Sequence, residues 1–174
     1  LALFVRSMKL WIAQGLGVGR MPFAQGTFGA LLGLGWFALL LGAGSWLIFA
    51  AGAAAGVAVS IWLCGEAEKQ LRQKDPGSVI LDEITAMPLC FVAAMVRASS
   101  HGQQWPGPGY FFSASHGLLT AVTFLLFRLF DIWKPWPVRQ SQVLSGGWGI
   151  TMDDVLAALY VNLVVWLLSG FVRL

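Results

Sequence analysis

The sequence predicts an all-α fold: a polytopic membrane helix bundle of about five transmembrane or partly re-entrant helices with an N-terminal interfacial segment. Three features of the 174 residues predict it: 57% are hydrophobic, only 11% are charged, and the mean hydropathy is +0.73. A soluble globular domain carries about 25% charged residues, so this chain lacks the side chains for a solvated surface. The composition excludes a cytosolic enzyme, a disordered tail and a nucleic-acid-binding module. Residues 1–174 are interpreted as a single integral-membrane domain.

The N-terminal segment, residues 1–21, is predicted to lie at the membrane surface. Its cationic residues Arg6, Lys9 and Arg20 are separated by apolar side chains. The apolar stretch is short for a signal peptide, and this alternation is typical of an amphipathic interfacial segment.

The first two predicted spans lie in residues 21–65, a stretch that contains no charged side chain. Because about 20 apolar residues cross the hydrocarbon core, this stretch holds two helices, near 22–41 and 46–64. The small residues at 42–45 predict the turn between them.

Three further apolar segments complete the predicted bundle, near residues 79–96, 111–130 and 155–172. A stretch rich in Gly, Pro, Ser and Gln at 99–109 predicts a loop between the third and fourth segments.

The distribution of Lys and Arg predicts that the N-terminus faces the cytoplasm. With five crossings, nine of the eleven cationic side chains lie on the inner side, and only Arg97 and Arg173 lie outside. The same topology places all eight carboxylates at the cytoplasmic ends of the helices, although the rule makes no use of them. We therefore expect an acidic site that faces the cytoplasm.

Three groups of carboxylates lie within about one turn of the cytoplasmic ends of three different predicted helices. Ionisable side chains this close to hydrocarbon are costly and usually have a function or a partner. Because carboxylates that meet at one level repel one another, we expect a cation between them. Oxygen ligands without a Cys or His cluster favour Mg²⁺ over zinc. The candidate catalytic and metal-ligating residues are Asp82, Glu83, Asp131, Asp153 and Asp154.

A purely structural role is equally compatible with two of these groups. Asp82 and Glu83 follow Ser78, a good N-cap, and acids near a helix N-terminus complement its dipole. Thr151 and Asp154 fit the capping-box pattern at the start of the fifth helix. For these groups the sequence leaves structure and function open.

Asp131 differs because it lies at the C-terminal end of its helix, where the dipole disfavours an anion. Arg128 could neutralise it, but an exposed helical pair contributes only about 0.3–0.5 kcal/mol, so a functional site is the better explanation. Downstream, Lys134 and Arg139 are candidates for holding phosphate oxygens. Their alternative role is to anchor the chain to anionic lipid.

Other phosphoryl-transfer chemistries lack their residues in this sequence. The two histidines, His101 and His116, fall in or beside the outer loop without a neighbouring acid, and there is no nucleotide-binding glycine loop. Metal-assisted attack by water is what the remaining residues permit.

Four segments together resemble the bacterial phosphatidylglycerophosphatase A family over about residues 20–160. The two most specific combine an Asp–Lys-Pro-Trp-Pro–Arg run with a Gly-Gly and Asp-Asp run, whereas the first glycine run is not specific. The four segments are residues 26–29, 75–83, 127–139 and 146–154.

The chain departs from the family pattern at two places. Gln25 stands where members commonly have Pro, and Gln142 and Val143 lie where many members have an Asp-Arg pair. The second departure concerns how the loop at 140–145 contacts substrate, and it leaves the core acids untouched.

The resemblance implies a magnesium-dependent lipid phosphatase of the bacterial inner membrane. The implied reaction converts phosphatidylglycerophosphate to phosphatidylglycerol and phosphate, and the implied partners are this lipid and the membrane, with no nucleic acid and no protein. In this hypothesis the five acids bind Mg²⁺, and Glu83 is also a candidate general base. Lys134 and Arg139 bind the phosphate, while Thr27 and Gln25 contact substrate or metal. Whether water or an Asp attacks phosphorus stays open.

The alternative from another class is a divalent-cation transporter or a cation-binding membrane subunit. Transporter sites usually lie near the bilayer midplane on broken helices, often within paired repeats. Here the acids gather at one face, and the sequence shows no convincing repeat. A structural helper subunit is a second alternative, but it gives no reason for five acids accompanied by cationic partners.

Overall fold

A computed structural model describes residues 2–100 and 105–168, and every regular element within them is helical. The all-α prediction is confirmed. Two 3₁₀ segments, Gly15–Arg20 and Met87–Phe91, accompany the α-helices. In the described ranges these helices are α1 Ala2–Ala13, α2 Gln25–Gly42, α3 Trp46–Leu71, α4 Leu81–Ala86, α5 Val92–Ser100, α6 Pro108–Phe111, α7 Gly117–Trp133, α8 Val138–Ser141 and α9 Gly147–Leu168.

Three of the described helices, α2, α3 and α9, are long and apolar enough to cross a membrane. The predicted span at 79–96 is instead divided into α4, a 3₁₀ segment and α5, because Pro88 has no N–H to continue the helical hydrogen bonds. Helix α7, in the place of the fourth predicted span, has 17 residues. The membrane helix bundle is therefore supported, while a count of five spans is not confirmed.

The predicted start of α9 is wrong, and the Ser78 cap suggested for α4 is not formed. Helix α9 begins at Gly147, eight residues before the predicted start, so Asp154 lies inside it and the hydroxyl of Thr151 is bonded to α3. Helix α4 has no side-chain cap, and the Ser78 hydroxyl instead accepts a hydrogen bond from Gln14 at 3.1 Å. For α9 the apolar pattern begins later than the helix does, because glycines and acidic residues occupy its first turns.

Helix α9 is the centre of the bundle and packs against α3, α4, α5, α7 and α8. A Cβ added at Gly147 would lie 1.7 Å from the Ile61 carbonyl oxygen, so only glycine permits this crossing with α3. Helix α4 lies between α2, α3 and α9. On α2, a Cβ added at Gly33 would lie 2.5 Å from the Cβ of Met87. These close approaches pack α9 against α3, and α2 against the 3₁₀ segment that follows α4.

An aromatic core fills the part of the bundle that is distant from Gly26, a residue in the first turn of α2. Phe37 stacks on Phe91 with 4.0 Å between ring centroids, and Phe111 meets both rings edge-on. All three side chains are fully buried. Because Phe37 lies eleven residues beyond Gly26 on α2, the two levels are separated by about 16 Å.

The N-terminal segment forms α1 and the 3₁₀ segment that follows it. Helix α1 packs against α3, where Lys9 Nζ lies 3.0 Å from Glu66, while Phe4 and Trp11 are exposed. Exposed large apolar side chains on an amphipathic helix suit a membrane surface. The interfacial placement and the single-domain assignment stay predictions.

Candidate active site

Three of the five predicted acids converge on one point. Asp82 and Glu83 lie in the first turn of α4, and Asp154 lies about two turns into α9. One carboxylate oxygen from each residue lies within 4.8 Å of those from the other two. These three residues are termed the carboxylate triad.

The triad is buried and only partly satisfied. The exposed fraction is 6% for Asp82 and 2% for Asp154. No residue in the described ranges hydrogen-bonds to Asp82 Oδ1, Glu83 Oε2 or Asp154 Oδ1. Buried charges are normally paired or coordinate metals, so three unpartnered oxygens in one cluster fit a cation. Because every donor is a carboxylate oxygen, the residues fit the predicted Mg²⁺.

The two remaining acids, Asp131 and Asp153, are termed the paired acids because cationic side chains contact them. Arg128 Nη1 lies 2.6 Å from Asp131 Oδ2, the pairing that the sequence left as an alternative, and 4.0 Å from Glu83 Oε1. Lys134 Nζ lies 3.8 Å from Asp131 Oδ1 and forms a hydrogen-bonded ion pair with Asp153 Oδ2. The role of the paired acids as Mg²⁺ ligands stays a prediction.

Lys134 reaches both paired acids because it terminates α7. It is the C-cap residue and turns the chain with a φ of +48°. Burial by itself lowers the pKa of Lys134, but the adjacent Asp153 carboxylate outweighs it, so the pKa lies above its ordinary value. The amine is therefore a permanent cation at neutral pH.

The formal charges of this cluster do not balance. Among the described residues, the five carboxylates meet two cations, which leaves three negative charges when every acid is ionised. An uncompensated buried ion costs several kcal/mol, to an order of magnitude. A divalent cation has the sign that this excess requires and would offset two of the three negative charges.

The predicted substrate-binding residues occupy different environments. Thr27 is half-buried in the first turn of α2, next to Gly26. A Cβ added at Gly26 would lie 2.4 Å from Glu83 Oε1 and 2.9 Å from Arg128 Nη2, so the first turn of α2 abuts the acids. Arg139 is exposed on α8, and its guanidinium makes no hydrogen bond or ion pair to a described residue.

Sequence reasoning missed two polar residues beside the paired acids. Gln142 Nε2 donates hydrogen bonds to Asp153 Oδ2 at 3.0 Å and to Asp75 Oδ2 at 3.2 Å. With Lys74 and Glu68, both residues line an open cavity of about 310 Å³. Asp75 could have been found from its position in a family motif, whereas Gln142 was noted only as a departure from the family pattern.

The described histidine lies far from the acids. His116 precedes α7, where its Nδ1 lies 3.1 Å from Ser115 Oγ and its ring stacks on Tyr110. Asp131 is fifteen residues further along the chain, about 22 Å at the helical rise. His101, Arg173 and the end of the fifth predicted span lie outside the described residues.

Comparisons with known proteins point to one family. A family model described as Phosphatidylglycerophosphatase A matches residues 11–169. The chain is 36% identical over 159 residues to the Phosphatidylglycerophosphatase A of Haemophilus influenzae, covering 89% of this chain and 85% of that protein. It is 29% identical over 147 residues to the Phosphatidylglycerophosphatase A of Escherichia coli strain K12, covering 84% of this chain and 74% of that protein.

A third relative carries a different name. The chain is 32% identical over 162 residues to a Bacteroides thetaiotaomicron protein named Putative phosphatidylinositol-3-phosphatase, covering 91% of each chain. No solved structure matches the chain. The relatives named in these comparisons are all lipid phosphatases by name.

Proposed function

The chain belongs to the phosphatidylglycerophosphatase A family of phosphoric monoester hydrolases, and on this premise we propose a complete reaction for it. It hydrolyses the terminal phosphomonoester of phosphatidylglycerophosphate to phosphatidylglycerol and phosphate. The reaction depends on Mg²⁺ and takes place at the cytoplasmic face of the bacterial inner membrane.

The observation that carries this proposal is the carboxylate triad beside two buried cations. The triad holds three unpartnered oxygens, Arg128 lies 4.0 Å from Glu83 Oε1, and Lys134 contacts the paired acids; both cationic side chains are mostly buried. A phosphomonoester dianion is bound where cations converge. The triad accounts for the binding of a divalent cation, and the two cationic side chains supply further positive charge for binding the phosphate.

Asp82, Glu83 and Asp154 would hold the Mg²⁺ ion. When bound, this ion supplies a Lewis acid for phosphoryl transfer. The α4 and α9 backbones fix the ligands, because Asp82 and Glu83 lie in one helical turn and Asp154 projects from the helix packed against it.

Lys134 binds the terminal phosphate in this proposal and offsets negative charge in the transition state. Its ammonium group lies between the two paired acids, which hold it in place. Arg139, exposed on α8, meets phosphate from the water side. Thr27, in the first turn of α2, contacts substrate or metal.

Glu83 is our candidate for the general base. One of its oxygens is unpartnered, and the other lies 4.0 Å from Arg128. A carboxylate in this position can accept the proton of an attacking water. Attack by an Asp carboxylate is the alternative mechanism, and it would leave a phosphorylated protein in a rapid-quench experiment.

The cytoplasmic placement is supported by the side chains around the acids. The C-terminal end of α3 and the following turn carry Lys69, Arg72 and Lys74, and Lys74 lines the cavity that Asp75 and Gln142 also line. An excess of Lys and Arg is typical of cytoplasmic segments. The acids and these cations therefore belong to the same face of the membrane.

A second candidate substrate is phosphatidylinositol 3-phosphate. It is favoured by the name of the Bacteroides thetaiotaomicron relative, which matches 91% of the chain. Both lipids carry a phosphomonoester on a polyol headgroup, so the same metal site would serve either.

Phosphate release by the detergent-solubilised protein tests the proposal. Phosphatidylglycerophosphate, phosphatidylinositol 3-phosphate and phosphatidic acid are each supplied with Mg²⁺ or with a chelator. We expect the fastest release from phosphatidylglycerophosphate and complete loss on chelation. Glu66→Gln is the control that keeps activity, because Glu66 pairs with Lys9 and Lys69 outside the acids.

Two outcomes would change the proposal. Fastest release from phosphatidylinositol 3-phosphate would establish the second candidate. The absence of metal-dependent release from all three lipids would overturn the enzyme mechanism and favour a cation-binding membrane protein.

A further inference from the structure

One side chain of α9 forms hydrogen bonds at the helix break between α4 and α5. Residues 81–100, which include two of the triad acids, are termed the broken segment. Asn162 Nδ2 donates to the Leu89 carbonyl oxygen at 2.7 Å, and Asn162 Oδ1 accepts a hydrogen bond from the Ala93 N–H at 2.7 Å. In an uninterrupted α-helix the Ala93 N–H would donate to the Leu89 carbonyl. The Asn162 amide therefore joins the two backbone groups that a continuous helix would join directly.

The 3₁₀ segment that contains Pro88 lies between α4 and α5, and there the Val92 N–H donates to the Leu89 carbonyl with 3₁₀ spacing, so the Ala93 N–H needs another acceptor. A side chain inserted into the helical hydrogen-bond ladder is a known cause of helix breaks, and neighbouring helices can satisfy the freed groups. A third hydrogen bond, from Asn162 Nδ2 to the Ala158 carbonyl at 2.7 Å, fixes the amide on α9 itself. The amide thus ties α9 to the broken segment on both sides of the break.

The Asn162 hydrogen bonds lie at nearly the same distance from the acids along α9 and along the broken segment. Asn162 is eight residues after Asp154 on α9, and Leu89 is seven residues after Asp82 on the broken segment. Because α9 and the broken segment run in the same direction from the acids, the tie sets their axial register. A slip of one residue would move a helix by about 1.5 Å, whereas metal–ligand distances tolerate about 0.2 Å.

We propose that Asn162 is a positioning residue for the metal site. It clamps the broken segment to α9 and so sets the spacing between Asp154 and the acids of α4. The inference rests on the proposed function of the carboxylate triad. Asn162 acts through backbone groups of Leu89 and Ala93, two turns away from the acids.

Two substitutions of Asn162 and one control test this role in the full chain in detergent. Asn162→Asp keeps the size and the acceptor for the Ala93 N–H but presents oxygen to two carbonyl groups, and Asn162→Leu removes all three hydrogen bonds. Thr123→Val is the matched control, because the buried Thr123 hydroxyl donates to the Leu119 carbonyl at 2.8 Å within α7 alone. The thermal unfolding midpoint and the initial rate are measured across a Mg²⁺ titration.

We expect both Asn162 variants to need at least about 10-fold more Mg²⁺ for half-maximal stabilisation and for half-maximal rate, because disturbed outer contacts typically cost 10–100-fold in metal affinity. Saturating Mg²⁺ restores most of the rate of Asn162→Asp. Thr123→Val lowers the midpoint without Mg²⁺ but keeps the wild-type Mg²⁺ dependence.

The inference is overturned by an unchanged Mg²⁺ dependence in Asn162→Asp, whatever its unfolding midpoint, since a merely structural residue would behave in that way. If Asn162→Leu does not fold, Asn162→Asp decides. Failure of the proposed function is distinguishable, because the wild-type protein itself would then show neither Mg²⁺-dependent stabilisation nor Mg²⁺-dependent phosphate release.

Discussion

The carboxylate triad and the paired acids lie side by side, yet they differ in what neutralises them. The triad keeps three oxygens for which the described part of the chain supplies no hydrogen-bond partner. The paired acids instead contact Arg128 and Lys134. The protein thus supplies its own cations where a charged side chain must be held in place, and withholds them where an external cation would bind.

The two groups are nevertheless connected through Arg128. Its guanidinium lies 2.6 Å from Asp131 and 4.0 Å from Glu83, so it belongs to both neighbourhoods. Charges this close in a region of low dielectric influence one another strongly. We therefore expect substitutions in the triad to affect metal binding and substitutions of the paired acids to affect catalysis.

The largest effect is expected for the triad. Asp154→Asn removes a charged ligand without changing its size, and we expect both the Mg²⁺-dependent rise in the unfolding midpoint and the phosphatase activity to be lost. The loss of activity should exceed about 1,000-fold, because disturbing outer contacts of a metal site alone costs 10–100-fold. Thermal unfolding with and without Mg²⁺, together with phosphate release, measures both quantities. A variant that kept the Mg²⁺ response would remove Asp154 from the metal site.

A smaller effect is expected for the paired acids. Asp153→Asn weakens the partner of Lys134 but leaves the triad intact, so we expect about 10–100-fold less activity with the Mg²⁺-dependent stabilisation retained. The same two measurements on this variant separate the roles of the two groups. Loss of the Mg²⁺ response would instead make Asp153 a metal ligand, as the sequence predicted.

The smallest effect is expected for the loop that supports the paired acids. Gln142→Ala removes hydrogen bonds to Asp153 and Asp75. Because a net hydrogen bond contributes about 0.5–1.5 kcal/mol, we expect activity to fall by about 2- to 12-fold. Steady-state rates at saturating Mg²⁺ check this, with Gln140→Ala, an exposed position of the adjacent α8, as the control. A loss as large as that of Asp154→Asn would place Gln142 in the chemistry itself.

Much of the fold was predictable because apolar composition constrains a chain in lipid. The uncharged stretch and its small-residue turn predicted α2 and α3. Helix α2 ends at Gly42, and α3 begins at Trp46. The start of α9 was mispredicted because its first turns contain glycines and acids, while tertiary packing against α3 decides the helix there. The break at Pro88 was likewise hidden in an apolar run, since hydropathy does not report backbone hydrogen bonding.

The candidate site was predictable as a set of residues but not as an arrangement. Acids at the ends of apolar helices indicated the five candidate carboxylates, and the spacing of Arg128 and Asp131 allowed the contact that they make within one helix. The division into triad and paired acids was not predictable, because it depends on which helices pack together. Gln142 and Asn162 were missed for the same reason, since their partners lie on other elements.

By itself, the sequence determined the class of the molecule, an apolar helical protein, and the kind of side chains available to bind a metal. Its few charged residues lie mostly near the ends of helices. The tertiary structure decided which of those charges meet. Glu83 and Asp154 are 71 residues apart in the chain, and they converge because α4 packs against α9, to which the Asn162 tie also joins the residues that follow α4. Local sequence signals reach about one helical turn, whereas a metal site is assembled from side chains that only packing brings together.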